Sequence, residues 1–136
     1  MKVYAVIDTN VFVSALFTRN PISATTKILN AMADGQIIPL YDEQIIAEYQ
    51  SVLSRDKFHI TPIERKKLFD YIREFGIYVE RTSVDTLFVD ESDRVFYEVA
   101  LSEEDSFLVT GNLKHFPADT RVVTPAQMLQ IIEEQL

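Results

Sequence analysis

A chain of 136 residues, 47% apolar and 25% charged, has the length of one domain and the composition of a folded rather than a disordered one. It contains no cysteine, which excludes disulfide scaffolds, cysteine-based zinc or iron–sulfur sites and thiol catalysis. Its net charge of −8 is not that of a typical nucleic-acid binder, but it is uneven: residues 51–81 carry seven bases against five acids, and residues 82–136 three bases against eleven acids.

Lys2–Ile7 reads as a strand, apolar on both faces as in the centre of a parallel sheet. The run is too short for a signal peptide or a membrane span, which points to a soluble, cytoplasmic protein. Asp8-Thr9-Asn10 stops it, and Val11–Phe17 reads as a short helix. After the turn signal Asn20-Pro21, residues 22–34 form an amphipathic helix with Gly35 just past its end. Gln36–Tyr41 is a second strand, and Asp42 can cap a helix running to about Ser54. Thr61-Pro62-Ile63-Glu64 is a capping box that opens a helix to Phe75, ended by Gly76. Ile77–Val79 is a short third strand, residues 92–102 a helix, Ser106–Thr110 a fourth strand and Arg121–Val123 a fifth. Thr124-Pro125 caps a last helix. Strands alternating with helices predict an α/β fold with a mostly parallel sheet and helices on both faces.

In such a sheet, ligands bind beyond the carboxyl ends of the strands, where strand order reverses. Asp8 follows the first strand and Asn112 the fourth. Glu48 lies at the margin of the apolar stripe of the helix after strand 2, and Asp93 in the first turn of the helix before strand 4. Singly, each has a plain structural role: Asp8 as a helix cap, Glu48 as a solvated side chain, Asp93 complementing a helix dipole with Asp90, Asn112 as a turn residue with positive φ. Together, carboxylates without interleaved lysine or arginine repel one another, and a hard divalent cation, Mg²⁺ or Mn²⁺, relieves that repulsion. Thr9 and Asn10 can donate to a metal-bound water or a phosphate oxygen, or simply cap the helix. His59 and His115 have no metal-ligand spacing and read as surface or structural groups. Phosphate-cradling glycine loops and a nucleophile elbow are absent.

Four blocks of the sequence resemble one family. Ile7-Asp8-Thr9-Asn10-Val11-Phe12-Val13-Ser14-Ala15 resembles the opening of the PIN-domain family, Mg²⁺-dependent ribonucleases that often serve as toxins in bacterial toxin–antitoxin pairs. Tyr41-Asp42-Glu43 through Ala47-Glu48-Tyr49 and Val52-Leu53-Ser54-Arg55 resembles its second block. Asp90-Glu91-Ser92-Asp93 with Ala100 resembles the third, and Leu108-Val109-Thr110-Gly111-Asn112 with His115-Phe116-Pro117 the fourth. The resemblance implies that residues 1–136 form one PIN-like nuclease domain. It implies a single three-layer sandwich with a five-stranded sheet in the order 3-2-1-4-5, and metal-binding roles for Asp8, Glu48 and Asp93. The fourth position, usually acidic in the family, is Asn112, which leaves Asp90, Asp105 or Glu91 as possible substitutes. Implied partners are RNA, an antitoxin protein and a second copy of the chain.

The expected function is a metal-dependent endoribonuclease. Mg²⁺ or Mn²⁺ on Asp8 and Asp93, with Glu48 close by and Asn112 at the rim, would activate a water for in-line attack on a phosphodiester and offset the charge of the transition state. Arg55, Lys57, Lys66 and Lys67, with Arg65 and Arg73, would contact the RNA backbone. Two alternatives stand beside this. A receiver-like phospho-Asp signalling module would need paired acids after strand 1 and a lysine on the last strand, where the chain has Arg121-Val122-Val123. A catalytically dead PIN scaffold that binds RNA or a protein is suggested by Asn112.

Overall fold

The computed structural model describes residues 2–135. Five strands, β1 (Val3–Ile7), β2 (Ile37–Tyr41), β3 (Ile77–Tyr78), β4 (Ser106–Val109) and β5 (Val122–Val123), form one sheet in the order β3-β2-β1-β4-β5. Every pairing is parallel. The α/β sandwich and its strand order are therefore as the sequence led us to expect. Parallel neighbours require crossover connections: α1 (Thr9–Thr18) and α2 (Ala24–Ala33) join β1 to β2, α3 (Glu43–Leu53) and α4 (Pro62–Phe75) join β2 to β3, and α5 (Arg94–Leu101) lies between β3 and β4, while a single 3₁₀ turn joins β4 to β5 and α6 (Pro125–Glu134) follows the last strand.

Local signals set most of the boundaries. Ser23 caps α2 through the Thr26 N–H, so the helix starts after Ile22, which is left 77% exposed rather than on its apolar face. Asp42 caps α3 through the Ile45 N–H, and Thr61 and Thr124 each close a capping box. Gly35 takes φ 78°, the left-handed conformation expected past a helix end. Gly76 is needed for a different reason: a Cβ there would lie 2.7 Å from Pro39 O, where α4 turns tightly into β3. The helix expected over 92–102 divides into a single 3₁₀ turn, Glu91–Asp93, followed by α5.

Reversal of strand order places β1 between β2 and β4, with Ile7 opposite Val109. Ala5, Val6 and Ile7 are fully buried, as a central strand should be, while Tyr4 is 37% exposed. Phe12 of α1, Tyr49 of α3 and Phe96 of α5 meet beside the end of β1, with ring centroids 5.1 Å apart for Phe12–Tyr49 and 6.0 Å for Tyr49–Phe96. The Tyr49 hydroxyl donates to Ile7 O at 2.5 Å. A buried phenol needs such a partner, and the bond fixes the backbone one residue before Asp8.

Residues 79–90 cross from β3 to the Glu91–Asp93 turn without regular structure. Glu98, 2% exposed, ties them down: Oε1 accepts from Arg81 Nη1 at 2.7 Å and Oε2 from the Val84 N–H at 2.8 Å. Arg81 also donates to Asp42 Oδ2 and Gln44 Oε1. Arg94 donates to the carbonyls of Val84 and Thr86 and lies over the Phe88 ring. An irregular strap is thus held by charge-assisted bonds at a depth where an unpaired charge would be costly.

Candidate metal centre

Asp8 sits at the carboxyl edge of β1 and is 6% exposed. It precedes α1 but closes no side-chain cap bond to it. Its Oδ2 instead accepts from Thr110 Oγ1 at 2.8 Å and from Asn10 Nδ2 at 3.2 Å. Thr110 is fully buried and also accepts from the Asn112 N–H at 3.0 Å, while Asn10 Oδ1 accepts from the Gly111 N–H at 3.3 Å. The first and fourth strand ends are thereby joined through Asp8. Burial pushes the Asp8 carboxyl above its ordinary value, and the Thr110 hydroxyl, the nearby Thr9 and Asn10 backbone and His115 pull it only partly back.

Asp93 reaches the same rim from the turn before α5. Burial first, then the negative charges of Asp8 and Asp90, raise its pKa to about 6. Its Oδ2 is buried and accepts no hydrogen bond. His115 Nδ1 lies 3.3 Å from it, within ionic contact but out of line for a hydrogen bond. Two buried carboxyl groups at one rim, neither paired with a lysine or arginine among the described residues and with the charge of Asp8 raising the cost of ionising Asp93, suit a hard divalent cation. Mg²⁺ is commonly held by one or two carboxylates and completes its shell with water.

These shifts predict how the metal-free protein responds to pH. Asp93 binds its proton more tightly folded than unfolded, so the stabilisation is full below 3.8 and is lost as pH rises to about 6. Thermal melts in chelator should fall across that window and level off above it, and Mn²⁺ should reverse the loss; melts flat across it would contradict the shift.

The remaining expected residues are distributed less compactly. Glu48 on α3 is half-buried. Among the described residues no three His, Asp or Glu side chains come close enough together to hold an ion, so Glu48 does not close on the Asp8–Asp93 pair. Asn112 is half-buried with φ −138°, so the positive-φ turn role does not apply to it. Thr9 Oγ1 is buried without a partner and is not presented to a substrate. Asp105 lies just before β4, at the amino edge of the sheet, and cannot replace a fourth acid at the carboxyl edge. Glu91 is exposed and paired with Arg94 at 2.7 Å. Asp90 caps the Glu91–Asp93 turn through Ser92 and stays near enough to act on Asp93.

The basic residues form a separate region. Arg19, at the end of α1, pairs with Glu64 in the first turn of α4. Ten helical residues rise about 15 Å, so α1 carries the chain about that far from Asp8 before Arg19 meets α4. Lys66 pairs with Asp70 at 2.6 Å, and Lys67 borders an apolar groove with Leu16, Met32 and Tyr71. Arg55 and Arg65 line a cleft of about 560 Å³ with His59, and Lys57 lies over the Phe58 ring. Arg73 is paired with Glu43.

Two residues of the rim were not anticipated. His115 belongs to it rather than to the surface at large, whereas His59 is exposed, as expected. Thr110 follows directly from the register: with Ile7 opposite Val109, the next residues are Asp8 and Thr110. No helix among the described residues is long and apolar enough to cross a membrane. Comparison with curated proteins gives no match. A family model described as PIN domain matches residues 4–114, a span that contains Asp8, Glu48, Asp93 and Asn112 and sets aside the receiver-like alternative. Proteins with that domain are generally nucleases and typically use a divalent metal.

Proposed function

The chain belongs to the PIN-domain family, and from that premise we propose that it is a Mg²⁺- or Mn²⁺-dependent endoribonuclease centred on Asp8 and Asp93. The observation that supports this most is the buried Asp8–Asp93 pair at the switch point of the sheet, close enough that the charge of Asp8 acts on Asp93. The two carboxylates would hold the ion, and Glu48 would act through an intervening water. A divalent ion bound there supplies Lewis-acid stabilisation of the phosphoryl group and an activated water. Thr110 and Asn10 orient Asp8 through its Oδ2, and Tyr49 holds the strand end that carries it. Incubation of a labelled RNA with the purified protein should give cleavage with Mn²⁺ or Mg²⁺ and none with chelator; cleavage that survives chelation would count against the assignment. As a toxin-type enzyme it should also arrest growth on induction, relieved by a partner antitoxin.

Asn112 favours a second reading, an RNA- or protein-binding PIN domain that does not cut, because an amide in the usually acidic fourth position brings no charge. Asn112→Asp separates the two. Affinity for hard cations follows ligand charge, so the variant should bind Mn²⁺ several-fold more tightly by calorimetry and cut faster at low metal. Unchanged affinity and turnover would make Asn112 a bystander to the ion.

The basic region supports RNA backbone contacts remote from the rim, by Arg55, Lys57, Lys66 and Lys67. Charge reversal of Lys66 and Lys67 should weaken RNA binding and lower the salt slope by about one unit for each phosphate that these side chains cease to neutralise. An unaltered slope would mark that surface of α4 as merely solvated.

A further inference from the structure

Two short turns bring Asp93 and His115 face to face. Asp93 ends the Glu91–Asp93 turn, and His115 ends the Leu113–His115 turn after β4. The second turn is firmly seated: the His115 N–H donates to Asn112 O at 3.2 Å, and the next side chain, Phe116, is buried against Phe88 with centroids 6.3 Å apart. The two oxygens of Asp93 are not equivalent. Oδ2 is buried, and His115 Nδ1 stands 3.3 Å from it. Oδ1 makes no hydrogen bond among the described residues and is the more exposed of the two, so it is the oxygen free to take a ligand. A half-exposed histidine beside an exposed aspartate would be a surface ion pair of little consequence. Here the carboxylate side chain is only 13% exposed, and His115 is the neighbour on its inner oxygen.

We propose that His115 is a positioning residue: its Nδ1–H donates to Asp93 Oδ2 and so holds Oδ1 towards the ion site. The inference rests on the function proposed above. A carboxylate that ligates through one oxygen is commonly held by a hydrogen bond to the other, and removing such a partner lowers metal affinity by about 10–100-fold. A ligand already oriented loses less freedom on binding. The present 3.3 Å separation needs only a small rotation of either side chain to become a hydrogen bond. It also accounts for a site with few acids: orientation of Asp93 compensates in part for the missing charge at Asn112.

The test is Mn²⁺ titration calorimetry on the full chain, first stripped with chelator, with circular dichroism as a check of the fold. His115→Phe keeps a ring and loses the donor, and should weaken Mn²⁺ by about 10–100-fold. His115→Asn places an amide N–H near the position of Nδ1 and should restore affinity to within about three-fold, whereas His115→Gln reaches towards Nε2 and should not; selective rescue is a signature that loss of packing alone would not give. Wild-type affinity in all three variants, or equal losses in His115→Phe and His115→Asn, overturns the positioning role. So does an imidazole nitrogen bound directly to Mn²⁺ in spin-echo spectra. If the wild type binds Mn²⁺ and Asp8→Asn does not, such results sink this inference alone; if the wild type fails to bind, both readings fall.

Discussion

Asp8→Asn should abolish divalent-dependent RNA cleavage, a loss on the order of 10³-fold or more, because an ion-held step supplies several kcal/mol of transition-state stabilisation. The fold should survive. Asparagine can still accept from the Thr110 hydroxyl through its amide oxygen, and it carries no charge into a site where burial already disfavours ionisation. The metal-free variant should therefore melt at or above the wild-type temperature at neutral pH, since relief of a like-charge pair stabilises the apo state. Full activity in the variant would remove Asp8 from the site. A large fall in melting temperature would instead mean that its charge is structurally required.

Arg81→Met should cost about 3–5 kcal/mol, the range for removing one partner of a buried ion pair. Glu98 would be left 2% exposed with its charge facing only the Val84 N–H, and Asp42 Oδ2 would be deprived of its cationic partner at the start of α3. Denaturant unfolding measures the effect. Adding Glu98→Gln to Arg81→Met should recover a substantial part of it, because the buried charge is then gone; independent, additive losses would mean that the two side chains do not act as a pair. The same variant should lower metal affinity, since the strap that Glu98 and Arg94 anchor leads directly into Asp90 and Asp93.

The contrast between these two positions shows what a single sequence reveals. Asp8 stands out because an ionisable group ends a strand apolar on both faces, and strand ends at a switch point are where ligands bind. Helix limits at Ser23, Asp42, Thr61 and Thr124 follow from side chains that satisfy backbone N–H groups within a few residues, so they are local and legible. Glu98 is not legible in this way. It interrupts the apolar face of α5 with a charge whose partner, Arg81, lies seventeen residues earlier, and nothing in spacing announces a long-range pair. His115 was hidden for a related reason: its proximity to Asp93 depends on two irregular turns, and neither helical nor strand periodicity predicts where such turns point. Glu48 is a different case: its place in the family pattern implies a shared ligand set, while among the described residues no three acidic or histidine side chains gather closely enough to hold an ion directly.

The central claim, that Asp8 and Asp93 together hold one divalent ion, is tested most directly by Mn²⁺ titration calorimetry of the wild type, Asp8→Asn and Asp93→Asn at neutral pH. The account predicts one saturable site in the wild type, and loss of that site in each variant with the fold preserved. No saturable binding in the wild type, or binding that either variant retains in full, would contradict it.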